Sequence, residues 1–107
     1  MTKIVTGTTP TIKYVFSTVD PADFAEAIFT IKDSHNQEKL RKTLDTATIS
    51  EGRIEWTLTQ EETLSLVVGS SLTMMLNWLT SGGVRGASME EVVTVVRNHI
   101  NEVMGDE

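Results

Sequence analysis

Four stretches of this chain alternate apolar and polar residues one by one, and that period of two commits it to β structure. In "TIKYVFS", Ile12, Tyr14 and Phe16 share one side, with Lys13, Val15 and Ser17 on the other. "AIFTIKD" sets Ala27, Phe29 and Ile31 against Ile28, Thr30 and Lys32, and in "RIEWTL" the apolar side is Ile54, Trp56 and Leu58. "SLTMMLNWLT" is the strongest of the four, with Leu72, Met74, Leu76 and Trp78 on one face. Its opposite face, Thr73, Met75, Asn77 and Leu79, is more apolar than a surface strand needs. Trp56 is the expected centre of the core, because a large ring buries more apolar area than any other side chain.

Turn signals separate these runs. "TGTTPT" reads as an extended lead-in to the first strand, and Asp20-Pro21 opens a linking turn in which Asp20 with Asp23 can cap one helical turn at "PADF". "SHNQE" is a hairpin tip, Glu51-Gly52 a turn, and "SGGVRG" a glycine-rich hairpin. "KLRKTL" and "TATIS" are short strand candidates. "ASMEEVVTVVRNHI" admits a helix, since Ser88 with Glu91 resembles a capping box. The four valines and one Thr of positions 92 to 96 favour a strand instead, through their stiff branched side chains.

At "RIEWTLTQEETLSL" the period changes. Thr59 and Glu62 fit the Thr-x-x-Glu capping box, so a short helix starts directly after the strand and carries the chain from one sheet to the other, with Leu64 and Leu66 folding under the sheet and Gly69 ending the crossing. With no repeat and no low-complexity tract, the expectation is one domain over residues 1 to 107, an immunoglobulin-like antiparallel β-sandwich of about seven strands with a short helical crossover. A small Greek-key barrel is the alternative.

Composition narrows the function classes. A chain of 107 residues with 39% hydrophobic and 22% charged residues suits one ordinary globular core rather than a disordered or membrane segment. No apolar run approaches the roughly 20 residues of a membrane-spanning helix, so no membrane association is expected. "MTKIVTGTTP" has no signal-peptide core, which points to synthesis in a cytoplasm. The absence of cysteine removes disulfides, thiolate metal clusters and cysteine nucleophiles. A net charge of −6 argues against tracking nucleic-acid phosphates, and the basic "KLRK" of Lys39 to Lys42 reads as the wet face of a strand.

The residue patterns of catalysis are missing. His35 and His99 lack metal-ligand spacing, and "DSHNQE" lacks the Gly and terminal Glu of an EF-hand loop. Glu61-Glu62 and Glu90-Glu91 are the carboxylate pairs to consider for acid and base work, but adjacent residues diverge rather than oppose each other across a cleft, and Glu62 already serves as a cap. There is no Gly-x-Ser-x-Gly elbow, and "SGGVRG" lacks the Gly-Lys-Ser/Thr ending of a phosphate loop. Neither catalytic residues, cofactor nor metal is expected. The feature left over is the second apolar face: Met75 and Leu79, joined by Val92 and Val96 if their strand pairs alongside, would form a contact patch. The alternative is that the crossing turn, or the C-terminal segment with Ile100 and Val103, covers it.

Four strings, "GTTPTIKYVF", "AIFTIKD", "WTLTQEETLSL" and "LNWLTSGGVRGAS", together resemble small structural proteins encoded in the tail regions of bacteriophages and prophages. The chain is also similar to the N-terminal sandwich domain of phage baseplate upper proteins, from about Gly7 to Val103. Gly7, Pro10, Leu58 to Thr63, Trp78, Gly83, Arg85 and Ser88 carry the match as framework positions. The resemblance implies a non-enzymatic virion component, a tail, baseplate or adaptor module that assembles into a ring or trimer with copies of itself and other phage structural proteins. It differs in ending near residue 107 without a receptor- or carbohydrate-binding extension, which favours an assembly part over direct host recognition. A carbohydrate-binding sandwich is the competing reading, because Tyr14, Trp56 and Trp78 are rings of the kind that stack on sugars, although all three alternate inward.

Overall fold

The computed structural model describes residues 2–69, 71–100 and 102–105. Its strands are β1 (Thr2–Val5), β2 (Thr11–Val15), β3 (Phe24–Lys32), β4 (Glu38–Thr43), β5 (Thr48–Ser50), β6 (Arg53–Thr57), β7 (Ser71–Thr80), β8 (Arg85–Ala87) and β9 (Glu91–Val96), with one helix, α1 (Gln60–Leu64), between β6 and β7. They form two sheets, one ordered β1-β9-β7-β3-β4 with β8 also pairing β7, the other ordered β2-β6-β5. This is the immunoglobulin-like sandwich: β3, β7 and β9 take the places of strands C, F and G, β4 extends that sheet as C′ does in variable-type domains, and β2, β6 and β5 stand for B, E and D. The helix occupies the E-to-F crossover.

Two features depart from the sequence expectation. Among the described residues the nine strands exceed about seven because β1 and β8 are pieces of four and three residues, too short to show a period. The pairing of β1 with β9 is parallel, whereas the other strand pairs are antiparallel. A strand ahead of "TGTTPT" was not expected: only Ile4 and the following Thr6 are buried in that stretch, so little apolar pattern marks it.

The alternating residues meet between the sheets. Trp56 and Ile54 from β6 face Phe29 and Ile31 from β3 and Leu76 from β7, all fully buried. The Trp56 and Phe29 rings stack at 5.7 Å with 21° between planes, and Tyr14 meets Phe29 edge-on at 6.2 Å. The indole N–H of Trp56 donates to the Thr43 carbonyl at 2.9 Å, so the central ring also keeps its one polar group satisfied. A second aromatic group lies toward one end: Trp78 stacks on Phe24 at 5.7 Å and meets Phe16 edge-on at 5.0 Å.

Local chemistry explains the connections. Asp20 accepts a hydrogen bond from Ala22 N–H and caps a single 3-10 turn at Pro21–Asp23, as its place before proline suggests. Asp33 closes the β3–β4 hairpin by accepting from the backbone of His35 and Gln37, with Asn36 taking the left-handed conformation at φ 62°. At α1 the capping box is complete, with Glu62 N–H donating to Thr59 Oγ1 at 3.1 Å and Thr59 N–H to Glu62 Oε1 at 2.8 Å. Residues 91 to 96 are a strand rather than a helix, β branching prevailing over the Ser88–Glu91 cap. Ser88 has a different role: its hydroxyl accepts from Leu76 N–H at 2.9 Å, prolonging the ladder on β7 where the backbone of β8 turns away.

Candidate interaction face

The larger sheet has an inner face packed on the core and an outer face that the smaller sheet does not reach. Strand register determines which residues share it. On β7, Thr73, Met75, Asn77 and Leu79 point outward; β9 lies alongside the first part of β7 with Thr73 opposite Val92, which sets Val92 near Met75, whereas Val96 lies beyond the paired stretch and Leu79 pairs with Arg85 of β8 instead. On the other flank Thr30 stands opposite Met75, Ile28 opposite Asn77, and Glu26 opposite Leu79. At the far end Val5 of β1 lies beside Val96.

The structure therefore sets the four residues on one face but strings them along it. Val92 is 51% exposed and Val96 37%, while Met75 and Leu79 are half-buried among their neighbours. Thr30, Thr73, Thr94 and Lys32 interrupt the aliphatic side chains. Neither of the two proposed covers lies over Val92 and Val96. The crossover helix sits against the other side of the sheet, where Thr63 Oγ1 donates to the Thr8 carbonyl. The C-terminal segment runs toward that helix, with Gln60 exchanging two hydrogen bonds with the Met104 backbone and Asn98 Nδ2 donating to the Thr6 carbonyl.

Two groups on this face were not picked out from sequence. Val5 and Ile28 extend the aliphatic set; Ile28 was already legible as an outward position of its alternating strand, whereas Val5 needed β1 to be found. The face also carries cations in an acidic chain. Lys3, Lys32, Arg41 and Arg85 lie on it with Glu26 and Glu38, by register. Arg41 is taken up by Glu38 at 3.1 Å. Among the described residues, Lys3, Lys32 and Arg85 make no ion pair, Arg85 only approaching the Asn77 amide oxygen at 3.4 Å. A shallow groove of about 210 Å³ opens beside Arg85, between Glu26, Ile28, Asn77, Trp78 and Leu79.

The residues weighed for chemistry are engaged in holding the fold or stand apart. Glu62 is buried enough for desolvation to raise its pKa, but the Lys42 ammonium at 2.6 Å and the Thr59 N–H outweigh that and hold the carboxyl below its ordinary value. Lys42 is thereby turned inward, a correction to reading all of "KLRK" as a wet face: alternation puts Leu40 and Lys42 on the inner side of β4, where Glu62 supplies the counter-charge. Glu91 accepts a hydrogen bond from the Thr2 hydroxyl. Asp33 is held below the usual carboxylate range first by the Gln37 N–H, then by the His35 N–H and Lys39 at 3.6 Å. His35 and His99 are both exposed, His35 at the hairpin tip. Among the described residues no group of three or more His, Asp or Glu side chains is placed to hold a metal ion.

The rings proposed for sugar stacking are occupied by the core. Trp56 is buried, Tyr14 reaches inward, and the half-buried Trp78 is stacked on Phe24 and lies over Gly86. No protein-family model matches this chain, and no curated protein is significantly similar to it.

Proposed function

We propose that this chain is a non-enzymatic virion structural protein of a bacteriophage or prophage, a tail, baseplate or adaptor component that works through protein–protein contacts and resides in the particle. The observation that carries the reading is the outer face of the larger sheet, where exposed Val5, Val92 and Val96 and half-buried threonines lie on paired strands. Such faces favour docking, because the strands are already ordered and little conformational entropy remains to be lost on contact. The resemblance of "GTTPTIKYVF", "WTLTQEETLSL" and "LNWLTSGGVRGAS" to phage tail-region proteins supplies the setting. Its matching positions have framework work to do: Gly83 has a φ of 87° in the β7–β8 hairpin, Thr59 and Glu62 cap α1, and Ser88 bonds β7.

The test is mass spectrometry of purified particles induced from the host that carries this gene. Many copies per particle are expected, and particles that form and infect without the protein would overturn the reading. A carbohydrate-binding module remains the competing reading on one observation, the groove in which Trp78 lies beside Asn77, Glu26 and Arg85. Glycan-array binding abolished by Arg85→Ala would favour it.

A further inference from the structure

The charge on the outer face indicates what docks there. In a chain of net charge −6, this face holds Lys3, Lys32 and Arg85, which among the described residues make no ion pair, against one unpaired carboxylate, Glu26, and beside exposed Val92 and Val96. One end of the sandwich is its complement. The 3-10 turn, the β5–β6 turn and the β7–β8 hairpin meet there, tied by Ser81 N–H donating to the Asp23 carbonyl at 2.7 Å and Phe16 N–H to the Gly52 carbonyl at 2.8 Å. That end exposes Asp20, Asp23 and Glu51 against one cation, Arg53, which donates to the Ser50 hydroxyl, with Val84 at 64% exposure between the hairpin strands. Among the described residues none of these three carboxylates is in an ion pair.

We infer that the outer face of the larger sheet receives the acidic end of a second copy of this chain, in a head-to-tail contact. This rests on the reading of that face as a contact surface and supplies the partner. Because Lys3, Lys32 and Arg85 outnumber the unpaired Glu26 on the outer face, stacking two such faces would set like net charge against like, whereas the acidic end brings carboxylates and an exposed valine to a face of opposite net charge that also carries exposed valines. A contact between two different patches leaves one of each free at the ends, so it repeats into a ring or a chain rather than stopping at a pair.

The experiment is light scattering on the purified full chain over a concentration series, at ~20 mM and at ~0.5 M salt, a range that shortens the screening length several-fold. The expected result is a mass that grows with concentration at low salt and an apparent Kd weakened about tenfold or more at high salt. Lys32→Glu/Arg85→Glu and Asp23→Lys/Glu51→Lys should each be monomeric alone, and an equimolar mixture of the two should associate. Asp20 is left intact because it caps its turn, and the thermal transition of each variant reports that it is folded. A wild-type chain that stays monomeric at low salt overturns the inference, as does association indifferent to salt, or a mixture of folded variants that does not associate. The particle experiment is independent: copies in virions together with a monomer in solution would remove this contact and leave the structural role standing.

Discussion

Tyr14 carries a hydroxyl into the sandwich without giving it a hydrogen-bond partner. Burial pushes its pKa up to about 12, with the Glu91 charge acting in the same direction and the nearby Ser88 hydroxyl offsetting part of it. Because the folded value lies above the ordinary 10.0, the neutral phenol favours the folded state, and that advantage is whole below pH 10 and lost as pH rises through about 12. As the chain has one tyrosine, ultraviolet titration reads it directly, and a midpoint near 12 rather than 10.0 is expected. Tyr14→Phe removes the unpaired hydroxyl while keeping the ring against Phe29. It should raise stability in urea by about 1 kcal/mol, and a loss of that size would mean that the hydroxyl is bonded. Gly86 is a second residue-scale constraint. A Cβ there would stand 2.4 Å from the Trp78 ring, so Gly86→Ala should cost about 1 to 3 kcal/mol by displacing the indole from its stack on Phe24, visible as a shift in tryptophan fluorescence.

At the scale of elements, the helical crossover shows how few residues are needed to hold a switch between sheets. A five-residue helix has little stability of its own, so α1 depends on its cap and on Thr63, whose hydroxyl donates to the Thr8 carbonyl at 2.8 Å. Thr59→Ala should destabilise the protein by about 1 kcal/mol, measured by chemical denaturation. Glu62 ties the same helix to β4 through Lys42. Its folded pKa lies below the ordinary 4.5, so its contribution is present above pH 4.5 and disappears as pH falls through the lower folded value. Glu62→Gln should therefore lower stability at neutral pH and flatten the acid limb of the stability profile. An unchanged acid limb would show that the ion pair contributes nothing.

For the whole molecule, sidedness is the property with functional weight. β9 places Val93 in the core at 1% exposure and Val92 on the outer face at 51%. Val92→Thr should leave stability within about 0.5 kcal/mol of wild type. Val93→Thr should cost about 1 to 3 kcal/mol, because the new hydroxyl would be buried without a partner. Thermal unfolding of the pair checks this, and equal losses would mean that the outer face is as closely packed as the core. The same sidedness gives the outer face a small positive excess, Lys3, Lys32 and Arg85 against Glu26, in a chain that is acidic as a whole.

Much of this architecture was legible in one dimension. The inward sets of β2, β3, β6 and β7 follow from alternation, the turns from Asp, Asn, Gly and Pro, and the helix start from Thr59 and Glu62, because each depends on residues only a few positions apart. β branching likewise decided residues 91 to 96 in favour of a strand. Tertiary structure alone decided the rest. β1 finds its place only by lying parallel to β9, with residues about ninety positions further along the chain. Lys42 becomes an inward cation only because the crossover delivers Glu62 to it. Met75 and Val92 share one face because β7 and β9 pair in a register that brings Thr73 opposite Val92. That face stays open because the C-terminal segment turns to Gln60 instead. Periodicity tells which side of a strand is apolar. What covers that side depends on contacts between distant segments, and local sequence does not encode them.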